Sequence, residues 1–331
     1  MNLPSISPVT SSRRNFMKRG IALPLVAAFG FPYTESIAAF GPIKRIGGPK
    51  LLIGVNAYSF SDLLKANAKD AGTGVDLFGV CEFCAKQNVD AVDLTGYFFP
   101  GYPKAPSDEY IFRIKRHAHD LGLAISGTGV RNDFVTADKS VRDEGVQRAK
   151  EWIEVAAKLG APTIRLFADS QAPFKNWHIA SGNASREVVE SWMADSFREC
   201  AEHAKKFGII IAVQNHADFI CTGQQHLSLL QRVDHESCMA LVDTGKYVTK
   251  DPYADIALMV PYAVNWQIKE TLDGNADSPR TDFKKLVTII CDGGYRGFLP
   301  IETLSMGRKN YDPFSEVAKV LMELRTSIAT N

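Results

Sequence analysis

The stretch AKKFGIIIAVQNH, Ala204 to His216, decides the fold class of this chain. A helical segment ends at Gly208, an unbroken apolar run follows, and that run closes on Gln214, Asn215 and His216. Glycine directly after a helix adopts the left-handed conformation that turns the chain into the next element. A strand without polar alternation is buried on both faces, as in a parallel sheet covered by helices. The stretch therefore predicts a helix–strand unit of an α/β protein, with three polar groups at the strand end.

The same pattern recurs along the chain. It reads HDLGLAIS at Gly122, AAKLGAPTIRLF at Gly160 and GGYRGFLPIE at Gly297. Eight strands that alternate with amphipathic segments favour an α/β fold of the closed (β/α)8 TIM barrel type. The alternative, an open doubly wound sheet, is disfavoured because NAYSFSDLLK, rather than a glycine-rich phosphate loop, follows the first strand. We predict the strands at Leu51–Tyr58, Ala91–Thr95, Leu123–Gly127, Thr163–Phe167, Ile209–Gln214, Met239–Asp243, Ala263–Lys269 and Phe298–Thr303.

The N-terminal segment has the pattern of an export signal. Arg13 and Arg14 precede an apolar run from Gly20 to Tyr33, and small residues follow up to Ala38. This order is typical of a secretory signal, and the arginine pair with its flanking residues resembles the twin-arginine signal. The alternative is a chance arginine pair in an ordinary signal. We predict a twin-arginine signal peptide at 1–38, a linker at 39–50, a single barrel domain at 51–325 and a tail at 326–331, with the protein in the periplasm or otherwise exported.

The charge balance bears on the partners of the protein. The 331 residues carry a formal net charge of +1, which gives no basic surplus that would indicate nucleic acid. The N-terminal apolar run is too short for a comfortable membrane span. We therefore expect no nucleic-acid partner and no stable membrane insertion, and homo-oligomerisation is left open.

Cys81 and Cys84 form a C-x-x-C, which is the spacing of a redox pair or of half a metal site. However, DLFGVCEFCAKQ has helical apolar spacing, and no second C-x-x-C exists in the chain. We therefore interpret both cysteines as packing residues.

Polar residues stand at the ends of several predicted strands. In a closed βα barrel the active site forms at the C-terminal ends of the strands. Side chains that reach these ends from different strands therefore converge on one mouth. The residues that we predict to contact a substrate there are Asn56, Tyr58, Asp93, Tyr97, Arg131, Asn132 and Lys246.

Five segments together resemble a known family. VDAVDL, GIIIAVQNH, ALVDTG, VNWQIKE and FLPIE, in this order, are similar to the xylose isomerase-like TIM barrels. That group includes sugar isomerases and epimerases, inosose dehydratases and endonuclease IV-like enzymes. The resemblance covers about residues 50 to 325. It implies one divalent metal, held by a Glu ending strand five, an Asp ending strand six, a His on strand seven and a Glu ending strand eight. The matching positions in this chain are Gln214, Asp243, Gln267 and Glu302.

The chain departs from this family pattern at two of the metal positions. Gln214 stands where Glu is usual and Gln267 where His is usual, and Lys246 stands where related sequences often have His. Amide oxygens ligate hard cations but bring no charge. An all-oxygen set favours manganese or magnesium, with calcium as a further candidate, over zinc. We predict such a divalent metal, bound more weakly than in the usual set.

The same departures bear on the chemistry that the resemblance implies, which is proton transfer across a sugar carbon by two glutamates. Gln214 cannot act as a base, so we expect Glu302 to be the base, with His216 and Lys269 as the partner acid or base. We predict an exported, metal-dependent sugar isomerase or epimerase-like enzyme that acts on a non-phosphorylated sugar, keto-sugar or polyol. The alternatives are a lyase or dehydratase acting on 3-keto-glycosides or inososes, and a catalytically lapsed barrel that binds carbohydrate.

Overall fold

Eight strands that are almost entirely buried and apolar form the centre of the molecule. The computed structural model describes residues 40–171, 174, 176–216, 218–273 and 278–331. Each predicted strand overlaps an observed one, and the boundaries differ by a few residues. In chain order the strands are β1 (Lys50–Asn56), β2 (Ala91–Thr95), β3 (Ala124–Gly129), β4 (Thr163–Phe167), β5 (Ile210–Gln214), β6 (Cys238–Asp243), β7 (Ala263–Gln267) and β8 (Arg296–Ile301).

The strands are parallel and lie in the order β7-β6-β5-β4-β3-β2-β1-β8. The ring closes just beyond β7, where Ile268 pairs with Ile301 in parallel. There the amide of Ile268 donates to the carbonyl of Pro300, and the amide of Glu302 donates to the carbonyl of Ile268, both at 2.9 Å. The predicted closed (β/α)8 barrel is confirmed, and the open doubly wound sheet is wrong.

Helices connect successive strands, as a parallel barrel requires. Several begin at side-chain caps; for example, Ser185 accepts from the amide of Val188, and Thr222 and Gln225 form a capping box. Among the described residues, no helix is both long and apolar enough to cross a membrane. The described helices are α1 (Ser61–Lys69), α2 (Leu77–Lys86), α3 (Asp108–Asp120), α4 (Lys139–Leu159), α5 (Trp177–Ala180), α6 (Arg186–Lys205), α7 (Gly223–Val233), α8 (Pro252–Met259), α9 (Phe283–Asp292) and α10 (Pro313–Ala329).

The predicted glycine caps are confirmed at Gly122, Gly160 and Gly208, which all adopt the left-handed conformation shortly after a helix, and the one at Gly297 is wrong. Gly160 ends α4 in the left-handed conformation with φ 79°, directly before β4. Gly297 does not cap a helix, because α9 has already ended before Gly293 and Gly294, and Gly297 lies within β8. At Gly297 a Cβ atom would lie 2.7 Å from the hydroxyl of Tyr295, so this glycine leaves room for a buried ring.

Cys81 and Cys84 are buried in α2 as free thiols, in agreement with the packing interpretation. Burial raises the pKa of Cys81 to about 12, so its thiol stays protonated near neutral pH. A protonated, inaccessible thiol is neither a nucleophile nor a metal ligand.

The segments that flank the barrel were predicted as a linker and a tail. In the first, Phe40 stacks on Tyr262, and Arg45 donates to the carbonyl of Ala263 at 2.5 Å, so this segment contacts the start of β7. The predicted tail begins within the last turns of α10. The predicted signal peptide, 1–38, lies outside the described residues.

Candidate active site

A cavity of about 920 Å³ lies at the barrel end where the strands terminate. This volume is typical of a small-molecule site. The structure brings most of the predicted site residues to its wall, while Asn56, Asp93 and Asp243 are buried and lie outside the wall. The predicted residues that line the cavity are Tyr58, Tyr97, Arg131, Asn132, Gln214, His216, Lys246, Gln267, Lys269 and Glu302.

Gln214 joins the ends of three neighbouring strands. Its Nε2 donates to Oδ2 of Asp243 at 2.8 Å and to Oε1 of Gln267 at 2.6 Å. Its Oε1 is buried and has no hydrogen-bond partner among the described residues. Gln214 thus presents its amide nitrogen, rather than its oxygen, to two of the predicted metal ligands.

Lys269, two residues beyond the end of β7, places its ammonium between the two carboxylates of the predicted metal set. The Nζ atom lies 2.5 Å from Oε1 of Glu302 and 3.6 Å from Oδ2 of Asp243, and the residue is only 3% exposed. Burial by itself would lower the pKa of Lys269, but Asp243 and Glu302 outweigh it, and the pKa is raised. Lys269 is therefore a buried cation shared by two carboxylates.

This arrangement does not fit a divalent metal. Both carboxylates of the predicted set are paired with the Lys269 ammonium, and Gln214 and Gln267 are bonded to each other. Within the described part of the chain, no three His, Cys, Asp or Glu side chains come together to hold a metal ion. A dication placed beside a buried ammonium would be repelled in a medium of low dielectric constant. The manganese, magnesium or calcium predicted from the sequence therefore does not fit these residues as they are placed, and no step below depends on a metal.

His216, just beyond β5, forms a dyad with Asp169. Its Nδ1 lies 2.5 Å from Oδ2 of Asp169, and its ring contacts the ring of Phe167. An ionised carboxylate only accepts, so the shared proton belongs on Nδ1, and the lone pair of Nε2 remains available. Asp169 is held in turn by Nε2 of Gln171 at 2.6 Å. The dyad therefore has the geometry of an oriented general base at the cavity wall.

Arg165 was not predicted as a site residue, although it lines the cavity. It lies in β4, is 4% exposed, and donates from Nη2 to the hydroxyl of Tyr97 at 2.7 Å. Gly129 on β3 makes room for it, because a Cβ atom there would lie 2.8 Å from its Nε. Two sequence features could have identified Arg165 as a site residue. An arginine stands inside the apolar run TIRLF, and the preceding strand, AISGTG, is rich in glycine.

Asp93 lies below the cavity wall in a network of amides. Asn56 donates to its Oδ1 at 3.3 Å and Asn265 to its Oδ2 at 3.0 Å. Burial raises the pKa of Asp93 to about 6, and Arg165 and Asn265 oppose this rise. Asp93 and Asn56 thus support the floor of the site, and a direct substrate contact stays a prediction for both.

Two asparagines at strand ends hold backbone groups. Asn132 donates to the carbonyl of Phe167 at 2.9 Å and accepts from its amide at 2.7 Å. Asn215 does the same for Asp243, at 2.9 and 2.8 Å. Both amides are therefore used to fix neighbouring strand ends, which orients the residues next to them.

Lys246 and Tyr58 lie at the cavity wall as predicted, on different strand ends. The Lys246 side chain forms no ion pair with any other described residue, while the Tyr58 ring packs edge-on against Tyr97 at 6.2 Å. Substrate contact stays a prediction for each.

Comparison with protein families gives one match over most of the chain. Residues 81–324 match the model described as xylose isomerase-like TIM barrel. The match extends from α2 to α10 and includes every residue of the cavity wall that follows β2.

Solved structures with the same fold include several sugar epimerases. A D-psicose 3-epimerase from Clostridium cellulolyticum H10, solved with D-tagatose, is 18% identical, with a TM-score of 0.65 over 84% of this chain and 97% of that one. An L-ribulose 3-epimerase is 17% identical, with a TM-score of 0.64 over 85% and 96%. A 3-keto-D-glucoside 4-epimerase from E. coli is 15% identical, with a TM-score of 0.64 over 84% and 100%. At these identities the likeness shows the fold.

Proposed function

This chain belongs to the xylose isomerase-like TIM barrel family, and from this premise we propose that it isomerises or epimerises a non-phosphorylated sugar or keto-sugar, or the keto form of a polyol, by moving a proton beside a carbonyl. The three epimerases of the same fold act on sugars, which supports this class of substrate. The cavity has room for a monosaccharide or a small glycoside.

The observation that carries the proposal is the His216–Asp169 dyad at the wall of that cavity. Nε2 of His216 removes a proton from the carbon beside the carbonyl, the C–H electron pair forms a C=C bond, and the π pair of the carbonyl moves onto its oxygen. Asp169 holds the ring in the reactive tautomer and stabilises the imidazolium that forms. Return of the proton from His216 to the neighbouring carbon, while the hydroxyl proton of that carbon passes to the former carbonyl oxygen, gives the isomer. Delivery of a proton to the original carbon from the opposite face, with Lys269 as the partner acid, gives the epimer.

Lys269 supplies positive charge to the same cavity. Its ammonium stabilises the negative charge that develops on the substrate oxygen, which is the role of a preorganised donor in a dry site. Glu302 and Asp243 hold this ammonium in place. The sequence predicts Glu302 as the base, and Glu302 can take this role in place of His216 if its contact with Lys269 opens when substrate binds.

Export belongs to the proposal as well. Replacement of Arg13 and Arg14 by lysine is expected to trap the precursor in the cytoplasm, because the twin-arginine pathway requires the pair. Fractionation of cells that express the full chain, with immunoblotting of each fraction, measures this. Normal export of the Arg13→Lys/Arg14→Lys variant would show that the signal is of another kind.

Proton exchange with the solvent tests the enzymatic part. The protein is incubated in deuterated water with a panel of free sugars and 3-keto-glycosides, with and without EDTA, and loss of C–H signals is followed by NMR. We expect exchange with at least one member, unaffected by EDTA. His216→Asn should slow it by about 10²- to 10⁴-fold, as loss of a general base does.

Matched variants make the outcome specific. His119→Asn, an exposed histidine on α3, should leave exchange unchanged. If Glu302→Gln abolishes exchange and His216→Asn does not, Glu302 is the base. Exchange accompanied by loss of a leaving group identifies the lyase alternative, and sugar binding without any exchange identifies the lapsed, carbohydrate-binding barrel.

A further inference from the structure

Two guanidinium groups at one side of the cavity contact the same pair of aromatic rings. The Cζ atom of Arg131 lies 4.7 Å from the ring centre of Tyr97, and that of Arg165 lies 5.4 Å from it. The same atoms lie 5.8 and 5.1 Å from the ring centre of Phe167. We call Tyr97, Arg131, Arg165 and Phe167 the guanidinium pocket. Two like charges that share the same rings repel each other unless an anion lies between or beside them.

No carboxylate of the described residues forms an ion pair with either arginine of this pocket, although thirteen pairs of a carboxylate with another Lys or Arg are found in the same residues. Arg131 donates from Nη1 to the neutral oxygen of Gln171 at 3.0 Å. Asp93 and Glu302 act on Arg165 through space but do not bond to it. Asp169 is already bonded to His216 and Gln171.

Arg165 is held rigidly with one end turned to the cavity. Nη2 donates to Tyr97, and Nε is buried without a partner beside Gly129. Nη1 has no partner among the described residues, and it is not one of the fully buried unpartnered atoms, so it faces the cavity that Arg165 lines. A buried arginine without a carboxylate partner is rare, because guanidinium groups inside proteins are normally paired.

We propose that Arg165 and Arg131 bind a carboxylate of the substrate, so that the substrate is a sugar acid rather than a neutral sugar. This inference deepens the proposed function and rests on it for the sugar part. The planar guanidinium matches the geometry of a carboxylate. A carboxylate is also repelled less than a phosphate dianion by the neighbouring Asp93, Asp169 and Glu302, because it carries a single negative charge. His216 and Lys269 then act on the same substrate from the same cavity.

Binding of matched acid and neutral sugars tests the inference. Isothermal titration compares D-glucuronate with D-glucose and D-galacturonate with D-galactose, using the full chain. To keep turnover out of the measurement, the same titrations are repeated on the His216→Asn variant. We expect the better acid of the two to bind about tenfold or more tightly than its neutral partner, as charge-assisted hydrogen bonds allow. The preference should fall as the ionic strength rises.

Variants assign the preference to the pocket. Arg131→Gln, at an exposed position whose loss leaves the barrel intact, should remove most of the preference, and Arg165→Lys should weaken it because Lys lacks the planar fork. Arg116→Gln, in an exposed pair with Asp120 on α3, is the control and should keep it. Equal binding of acid and neutral sugar, an unchanged preference in Arg131→Gln, or tighter binding of glucose 6-phosphate than of the acid would each overturn the inference.

The same data separate this inference from the proposed function. If exchange occurs with neutral sugars and the acids do not bind, the proton-transfer function stands and the carboxylate site is wrong. If the acids bind through Arg131 and neither these acids nor the neutral sugars exchange a C–H proton in deuterated water, the carboxylate site stands and the proposed function is wrong.

Discussion

The charged side chains on two sides of the cavity differ in whether they have ion-pair partners within the protein. On the side of β5 to β8, the single ammonium of Lys269 lies between Asp243 and Glu302, so both carboxylates share one cation inside the protein. On the side of β3 and β4, Arg131 and Arg165 share two aromatic rings and have no carboxylate partner among the described residues. A paired set resists added ions, and an unpaired one attracts them. The difference favours an anion on the second side, whereas on the first side a metal cation would have to share two carboxylates with the Lys269 ammonium.

Loss of the lysine should have the largest effect on the paired side. Lys269→Met leaves Asp243 and Glu302 as buried carboxylates without their shared cation, and we expect a loss of about 3–5 kcal/mol in the free energy of unfolding. Urea unfolding followed by circular dichroism measures this. Lys246→Met, at the wall of the same cavity but without an ion pair among the described residues, is the control. Equal losses in both variants would show that the Lys269 pairing contributes little.

Asp93 lies between the two sides, since Arg165 lowers its pKa and Glu302 raises it. The pKa of Asp93 is about 6 in the folded state, against an ordinary value of 3.8. Between pH 3.8 and about pH 6 the folded state therefore keeps a proton on Asp93 that the unfolded state has lost. Stability therefore falls as the pH rises from about 4 to about 6, by an amount on the order of 3 kcal/mol.

The variant Asp93→Asn should lack this fall. The difference in unfolding free energy between the two proteins, measured by urea unfolding at several pH values, isolates the contribution of Asp93. Buried His226, whose pKa is lowered to about 4, produces the opposite trend in the same range, but it is present in both proteins and cancels. A difference that stays constant from pH 4 to 7 would contradict the expected raised pKa of Asp93.

A smaller effect on stability is expected at Gly129, which leaves space for the side chain of Arg165. In Gly129→Ala the new Cβ meets Arg165 at 2.8 Å, so the guanidinium must shift. We expect a loss of about 1–3 kcal/mol from overpacking together with weaker binding of sugar acids. Gly48→Ala, where a Cβ would meet nothing within 4 Å, should change neither. Thermal unfolding and isothermal titration on both variants test whether the space at Gly129 sets the position of the Arg165 side chain.

The smallest effect concerns metal. Because the Lys269 ammonium lies between Asp243 and Glu302, elemental analysis of the native protein should show no stoichiometric divalent metal. The double variant Lys269→Met/Gln214→Glu removes the cation and adds a third carboxylate, and it should bind Mn²⁺ about tenfold or more tightly than the native chain, a gain of about 1.4 kcal/mol. Electron paramagnetic resonance of free Mn²⁺ measures this. A native protein that retains one metal per chain, and loses it in Asp243→Ala, would restore the family metal site.

The sequence alone determined the fold and placed ten of the residues that line the cavity at the barrel mouth. Continuous apolar runs such as Ile210–Gln214 are buried strands, and their spacing between helices leaves little choice other than a closed parallel barrel. Because strand ends of such a barrel converge, Gln214, His216 and Glu302 could be assigned to one mouth from their positions in the chain.

Only the tertiary structure decided which of these groups pair with one another. Lys269 could be predicted to lie at the mouth, but its position between Asp243 and Glu302 depends on side-chain direction across three strands. Arg165 was missed because a charged residue within an apolar strand gives no hint of which face it takes or of the space that Gly129 leaves. Strand order follows from local patterns that each segment carries by itself, whereas the pairing of charges depends on atoms brought together from distant parts of the chain.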